Sequence, residues 1–211
     1  MLLTVVDYGV GNLRSIAKSV EKANSDNNLN YTVKVSSDVN DVKQSDKIIL
    51  PGQGSFKACK EGIDKIVGLQ ETLNESVLVK QKPIYGICAG MQLFATFGYE
   101  EEKTSGLNWI PGEVNKLDLG SLKLKIPHMG WNELRVENAS NVFKDVDNKN
   151  HAYFIHSYEF IPEDKKNISI KTNYGKDVVA AVSSGNIYGS QFHPEKSQNT
   201  GIQILTNFLN L

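Results

Sequence analysis

One of the chain's two cysteines lies between glycines, in the segment GICAG at residues 86–90. A G-x-C-x-G segment between a strand and a helix has the form of a nucleophile elbow, which presents the reactive side chain on a strained turn. Glycines remove the side chains that would clash there, and the amides at a helix start favour a thiolate. The N–H of Ala89 could also hold an oxyanion. A buried structural Cys88 beside a turn fits the same pattern, so the motif alone leaves both interpretations open.

A nucleophilic thiol needs a base, and the base needs a group that orients it. His193 lies in the segment HPE, where Pro194 favours an extended conformation. Alternate side chains of an extended segment project to the same side, so His193 and Glu195 could face one site. The carboxylate would then hold the imidazole tautomer and stabilise the imidazolium. A surface turn is the alternative for HPE. His128 and His156 are rival bases that no nearby carboxylate supports, so we interpret them as structural or interfacial.

The segment LPGQGSF at residues 50–56 could complete an oxyanion hole. Gly52 and Gly54 would let the backbone turn and present its N–H groups, although an ordinary turn between a strand and a helix has the same composition. The second cysteine, Cys59, lies in the helical pattern FKACKEGI without flanking elbow glycines. We therefore interpret Cys59 as structural.

The elements around these segments predict an α/β fold. Short apolar runs indicate buried strands at LLTVV, YTVKVS, KIIL and PIYGI. Helices are predicted between them, over residues 12–23 and over MQLFATFG up to Gly98, with a polar loop at residues 24–30. This alternation predicts a mostly parallel central sheet with helices on both faces.

From about Asn108 the pattern changes to short, partly alternating runs, which predict an antiparallel β subregion. The segments YFIHSYEF, NISIKT and VVAAVSSGNIYGSQFHPE are predicted to continue as strands, and TGIQILTNFLNL is predicted to close the chain as a helix. Without a repeat or a low-complexity linker, residues 1–211 are expected to form a single domain.

Composition excludes several functional classes. The chain has 211 residues, 40% of them hydrophobic and 22% charged, with a net charge of −1. The small net charge gives no reason to expect nucleic acid or an anionic membrane as a partner. No apolar run approaches a membrane span, and the N-terminus is predicted to be a strand rather than a signal peptide. The spacing of the two cysteines indicates neither a disulfide framework nor a zinc site, so a cytoplasmic protein is expected. No metal cluster or nucleotide-binding motif appears either, so no cofactor is expected.

Taken together, the segments YGICAGMQL, LPGQGSF, HSY and QFHPEKS resemble, in order and spacing, those of the class I (triad) glutamine amidotransferases. The resemblance extends over essentially the whole chain and implies a flavodoxin-like fold. Within the family, the segments DYGVGNLRSI and PHMGWNEL are most similar to glutaminase subunits that supply ammonia to a (β/α)8 cyclase in histidine biosynthesis. Related subunits supply ammonia to sugar-modifying amidotransferases, for example in making acetamidino sugars, and they retain the same triad.

The resemblance implies hydrolysis of glutamine to glutamate and ammonia. Cys88 would be the nucleophile, His193 the base and Glu195 its orienter. The residues implied to shape the oxyanion site and hold the glutamine are Gly52, Gln53, Ala89, Gln92, Ser157 and Tyr158, the last two largely through their backbone. The residues expected to contact the cyclase subunit of a heterodimer are His128, Met129 and Trp131.

Two positions depart from the family pattern. Ala89 stands where leucine is more common, and Gln53 replaces a small apolar residue in the P-G-V-G loop. The groups concerned are backbone amides, so the chemistry is expected to survive. Two other classes remain as alternatives: a stand-alone cysteine amidase or peptide hydrolase, and a non-enzymatic flavodoxin-like sensor or chaperone. The non-enzyme would need neither the His193–Glu195 pair nor Gln92.

Overall fold

The computed structural model describes residues 1–211. Its α-helices are α1 Leu13–Asp26, α2 Val39–Gln44, α3 Phe56–Asp64, α4 Leu69–Asn74, α5 Ala89–Gln92 and α6 Gln198–Leu209. Its strands are β1 Leu2–Val6, β2 Thr32–Ser36, β3 Lys47–Leu50, β4 Ile84–Ile87, β5 Phe97–Gly98, β6 Thr104–Ser105, β7 Gly112–Lys116, β8 His128–Glu133, β9 Arg135–Val136, β10 His151–His156, β11 Tyr158–Pro162, β12 Ile168–Asn173, β13 Asp177–Ser184 and β14 Ile187–Ser190. A π-helical turn covers Glu75–Val79, and 3₁₀ turns cover Lys165–Asn167 and Pro194–Lys196.

The main sheet has eight strands in the order β2-β1-β3-β4-β14-β13-β12-β9. The first five strands are parallel, and β14 pairs in parallel with β4 although it comes roughly a hundred residues later. The last three strands run antiparallel to their neighbours. The predicted mostly parallel sheet with an antiparallel subregion is therefore confirmed. Part of that subregion extends the main sheet, and β8 and β10 form a separate antiparallel pair. Strands β11 and β7 join β5 and β6, which precede Asn108, in a four-stranded sheet in which β5 and β7 are parallel.

Alternate residues of the central strands pack into two cores, one on each face of the main sheet. In β3, Ile48 and Leu50 belong to one core and Ile49 to the other. The first core lies under α3 and α4, and the second lies under α1 and α6. Because both faces are covered by helices, β1, β3 and β4 are buried along nearly their whole length, which is why their sequences show no regular polar alternation. None of the helices combines the length and apolar character that crossing a bilayer requires.

Three predicted boundaries are wrong. The strand pattern predicted up to Glu195 ends with β14 at Ser190. Helix α1 continues to Asp26, into the predicted polar loop. The helix predicted over residues 91–98 ends at Gln92, and its last two residues form β5 instead. The carbonyls of Leu93, Phe94 and Ala95 accept hydrogen bonds from the amides of residues 107–110, at 2.7 to 3.0 Å. That distant segment takes the acceptors that a longer helix would use, so the helix stops after one turn.

Candidate active site

Cys88 occupies a strained turn directly after strand β4. Its φ of +54° and ψ of −114° are unusual for a residue with a side chain. The flanking glycines are required by close packing. A Cβ on Gly90 would lie 2.1 Å from the carbonyl oxygen of Leu50, and one on Gly86 would lie 2.7 Å from the amide nitrogen of Met91. The elbow therefore rests on the end of β3 with no room for side chains, as the G-x-C-x-G pattern predicts.

Parallel pairing of β4 with β14 brings the second half of the site to Cys88. Ile87 and Ser190 are register partners, and the Cys88 amide donates to the Ser190 carbonyl at 2.7 Å. The residues that follow β14 therefore continue beside the elbow. Among them, His193 is extended, with φ −96° and ψ 100°, and its amide donates to the Tyr153 carbonyl at 3.0 Å.

His193 and Glu195 form a buried pair, as their spacing predicts. Nδ1 of His193 lies 2.8 Å from Oε1 of Glu195, and only 8% and 1% of the two side chains is exposed. A carboxylate can only accept a hydrogen bond, so Nδ1 carries the proton and Nε2 is the nitrogen left for Cys88. Burial by itself lowers the pKa of His193. Its hydrogen bonds to Cys88 and Glu195 and their negative charges outweigh burial and raise that pKa to about 10. The charges therefore favour an imidazolium between the sulfur and the carboxylate.

A pocket of about 320 Å³ opens over the elbow. That volume is at the lower end of the range for small-molecule sites. Most of the predicted site residues line it, namely Gln53, Cys88, Ala89, Gln92, Ser157, Tyr158 and His193, together with Gly54, Glu100, Pro127, Ile155, His156 and Lys196. Nothing in the sequence patterns pointed to Glu100 or Lys196, which add one charge of each sign. No group of three or more histidine, cysteine, aspartate or glutamate side chains is arranged to hold a metal ion.

Gly52 does not line the pocket. A Cβ at Gly52 would lie 2.1 Å from the Gly90 amide nitrogen, so the loop backbone packs directly against the start of α5. The buried Tyr8 hydroxyl donates to the Pro51 carbonyl and holds the loop from behind. Cys59 lies on that same inner side, where burial raises the pKa of its thiol to about 12. A thiol that stays protonated there agrees with the structural interpretation of Cys59.

Two predicted backbone contacts for substrate are already used within the protein. The Tyr158 carbonyl accepts from Nε2 of Gln92 at 3.0 Å and lies 2.9 Å from Nδ1 of His156. The Ser157 carbonyl accepts from the amide of Leu117 at 2.9 Å. These carbonyls therefore help build the pocket wall: the Tyr158 carbonyl already has two partners, and the Ser157 carbonyl has one of the two that it can accept.

His128 is placed differently from the prediction. The sequence suggested a contact surface, but only 2% of His128 is exposed. Its ring stacks on Phe154 and Tyr174, and its Nδ1 lies 2.9 Å from Nε2 of His156. Burial lowers the pKa of His128 to about 4 and that of His156 to about 3. The two imidazoles therefore form a neutral pair, with His156 in the pocket wall and His128 behind it.

Met129 and Trp131 do lie at the surface, with 63% and 50% exposed. Met129 is the cross-strand partner of Ile155, and Trp131 is the partner of Tyr153, whose ring it meets edge-on at 6.2 Å. We call this outward face of β8 and β10, formed by Met129, Trp131, Tyr153 and Ile155, the β8–β10 face. Because Ile155 also lines the pocket, the face reaches the pocket mouth.

Comparison with known proteins identifies the family. The model of the class-I glutamine amidotransferase family matches residues 4–211. The chain belongs to this family. The amidotransferase is therefore an enzyme, and the alternative of a non-enzymatic sensor or chaperone is wrong.

Similar proteins are found in several bacteria. The amidotransferase is 49% identical to the imidazole glycerol phosphate synthase subunit HisH of Pelagibacter ubique, over the full length of both chains. It is 41% identical to the same subunit of Brucella suis, covering 99% of this chain and 98% of that one. It is 44% identical to subunit HisH 1 of Campylobacter jejuni, again over both full lengths.

Solved structures share the fold at low sequence identity. A glutamine amidotransferase crystal structure has a TM-score of 0.71 at 15% identity and covers 99% of each chain. The glutaminase domain of Trypanosoma brucei CTPS with bound acivicin has a TM-score of 0.66 at 16% identity, covering 100% of this chain and 94% of that one.

Proposed function

We propose that this chain is the glutaminase subunit of an imidazole glycerol phosphate synthase. It hydrolyses glutamine to glutamate and ammonia and passes the ammonia to a cyclase subunit in histidine biosynthesis. The observation that carries the proposal is the buried His193–Glu195 pair beside the strained Cys88 at the floor of the pocket. The full-length similarity to HisH subunits supports the choice of synthase.

We propose the roles of the triad from its geometry. The Cys88 thiolate attacks the side-chain amide carbon of glutamine, and the carbonyl oxygen becomes an oxyanion beside the Ala89 amide. The His193 imidazolium gives its Nε2 proton to the amide nitrogen, and the C–N bond breaks. Ammonia departs, and the acyl group remains on Cys88 as a thioester. Water then loses a proton to His193 and attacks the thioester, which releases glutamate and restores the thiolate. Glu195 holds the imidazole in position throughout.

The remaining pocket residues have supporting roles in this proposal. Gln53 and Gly52 belong to the loop whose amides would complete the oxyanion site, with Gly52 acting by letting that loop approach α5. Gln92, Ser157 and Tyr158 shape the wall that faces the glutamine. No cofactor enters this scheme, since attack, proton transfer and hydrolysis use only side chains, backbone amides and water.

We propose the β8–β10 face as the surface that contacts the cyclase subunit, a (β/α)8 protein. Its exposed Met129 and Trp131 are residue types enriched at the centres of interfaces. The face reaches the pocket mouth through Ile155, so a partner seated there would cover the exit and receive ammonia before it meets solvent. His128 would act behind this face rather than in it. The chain is proposed to work as one domain, because both cores share the central sheet. We also propose a cytoplasmic location, because the two cysteines form no disulfide framework.

Glutamate production with and without the cyclase and its nucleotide ligand tests the proposal. We expect weak activity from the isolated chain, strong stimulation by the cyclase, and complementation of a histidine auxotroph that lacks this subunit. Cys88→Ala should abolish glutamate production, whereas Cys59→Ala should keep it. Full activity without a partner would indicate a stand-alone amidase. Stimulation only by a sugar-modifying synthetase, without complementation, would indicate the related subunit instead.

A further inference from the structure

A buried amide connects the nucleophile to the pocket wall. The Gln191 side chain is fully buried, with its Nε2 3.5 Å from Sγ of Cys88 and its Oε1 2.9 Å from Nε2 of Gln92. Gln92 in turn donates to the Tyr158 carbonyl at 3.0 Å. Gln191 itself does not line the pocket, so it acts on the site through the residues that it contacts, Cys88 and Gln92.

The backbone holds Gln191 in place independently of these contacts. Gln191 follows β14 directly, and its amide donates to the Ala180 carbonyl of β13 at 2.8 Å. The preceding residue, Ser190, accepts from the Cys88 amide at 2.7 Å. Cys88 and Gln191 therefore directly follow two neighbouring parallel strands, β4 and β14, at the same edge of the sheet. This placement brings the two side chains together.

The pattern of donors and acceptors determines which end of the amide faces the sulfur. The Tyr158 backbone oxygen can only accept, so Gln92 must turn its NH₂ group toward it. The same NH₂ group faces Gln191, which must therefore present its oxygen to Gln92. That leaves the NH₂ group of Gln191 facing Cys88. A flipped Gln191 would set two NH₂ groups against each other in a buried place, which is costly.

We propose that Gln191 is a positioning residue for the Cys88 thiolate, donating a hydrogen bond to Sγ in an orientation that Gln92 and the Tyr158 carbonyl maintain. The proposal rests on the proposed role of Cys88 as nucleophile. A donor stabilises a charged sulfur more than a neutral thiol, because hydrogen bonds to ionised groups are roughly twice as strong as neutral ones. The donor also restrains the sulfur at the pocket floor. It leaves His193 as the only base.

The pH dependence of Cys88 alkylation tests this inference. Full-length chain is treated with iodoacetamide over a range of pH, and modification at Cys88 is followed by peptide mass analysis. Gln191→Glu keeps the acceptor for Gln92 but replaces the donor with an oxygen, and Gln191→Met removes both. We expect the alkylation midpoint to move up by about one pH unit in each, which is about a tenfold fall in thiolate at fixed pH. Glutamine turnover should fall by about the same factor with little change in KM, since Gln191 does not touch the pocket.

A variant of Gln92 tests whether the orientation of the Gln191 amide matters, and not only its presence. Gln92→Leu leaves Gln191 in place but removes the partner that orients it, so a smaller shift in the same direction is expected. Gln203→Met, which removes an exposed amide on α6, is the matched control and should leave the midpoint unchanged. Unchanged midpoints in both Gln191→Glu and Gln92→Leu would overturn the inference. Glutamate production by Cys88→Ala would instead overturn the proposed function, because it would remove Cys88 from the reaction.

Discussion

The buried pair of His128 and His156 should make the protein lose stability between pH 6.5 and pH 5. Burial lowers the pKa of both imidazoles, to about 4 and about 3, from an ordinary value of 6.5. The unfolded chain therefore binds protons in this pH range while the native pair stays neutral. Because the unfolded state binds more protons, the free energy of unfolding rises with pH and falls as the solution is acidified.

The size of the effect follows from two conditions: the native pair remains neutral down to pH 5, and both histidines titrate at the ordinary value of 6.5 in the unfolded chain. One group that titrates in the unfolded state alone contributes at most about 1.4 kcal/mol per pH unit. Integrated from pH 6.5 to pH 5, that gives about 1.6 kcal/mol for each histidine and about 3 kcal/mol for the pair. Such a loss is a large part of the stability of an ordinary domain. His193 does not oppose it in this range: its raised pKa stabilises the fold fully below pH 6.5 and loses that contribution as pH rises toward 10.

Urea unfolding at half-unit steps of pH measures this dependence. His128→Gln removes one of the two groups and should roughly halve the loss between pH 6.5 and pH 5, in addition to lowering stability at every pH. His151→Gln is the matched control, because His151 lies on the same strand as His156 but is exposed. It should leave the slope close to that of the natural sequence. An identical slope in His128→Gln and the natural sequence would refute the reasoning.

Three further predictions concern the site and its surroundings. His193→Ala should reduce glutamate production nearly as much as loss of the nucleophile. Glu195→Gln should cause a smaller loss, because glutamine keeps an oxygen beside Nδ1 of His193. Equal losses in the two variants would contradict the orienting role of Glu195. Gly90→Ala should abolish activity and lower the free energy of unfolding by about 1–3 kcal/mol in chemical denaturation, because its Cβ meets the Leu50 carbonyl at 2.1 Å. Gly120→Ala, which meets no atom within 4 Å, should keep activity. Trp131→Ala should weaken binding of the cyclase in titration calorimetry more than it changes unstimulated hydrolysis, and unchanged affinity would move the interface elsewhere.

Much of the architecture was determined by local sequence. The apolar runs that form β1, β3 and β4 cannot remain in solvent on either face, so they predict central strands covered by helices. Local sequence also determines the elbow, because the glycines on both sides of Cys88 indicate a turn too tight for side chains. The spacing of His193 and Glu195 around a proline predicts a shared orientation, and the structure has the two side chains 2.8 Å apart.

Only the tertiary structure decided which hydrogen-bonding groups are paired with residues far away in the sequence. Helix α5 ends after one turn because the amides of residues 107–110 take its acceptors. No local pattern points to Gln191, because its partners Cys88 and Gln92 lie about a hundred residues away in sequence, at the end of β4 and in α5. The sequence predicts His128 at a contact surface because Met129 and Trp131 beside it are residue types common at interfaces, and only its pairing with His156 shows that it points inward. Local patterns describe what one segment can do alone, whereas these hydrogen bonds depend on strand order and register, which bring together residues that are far apart in the chain.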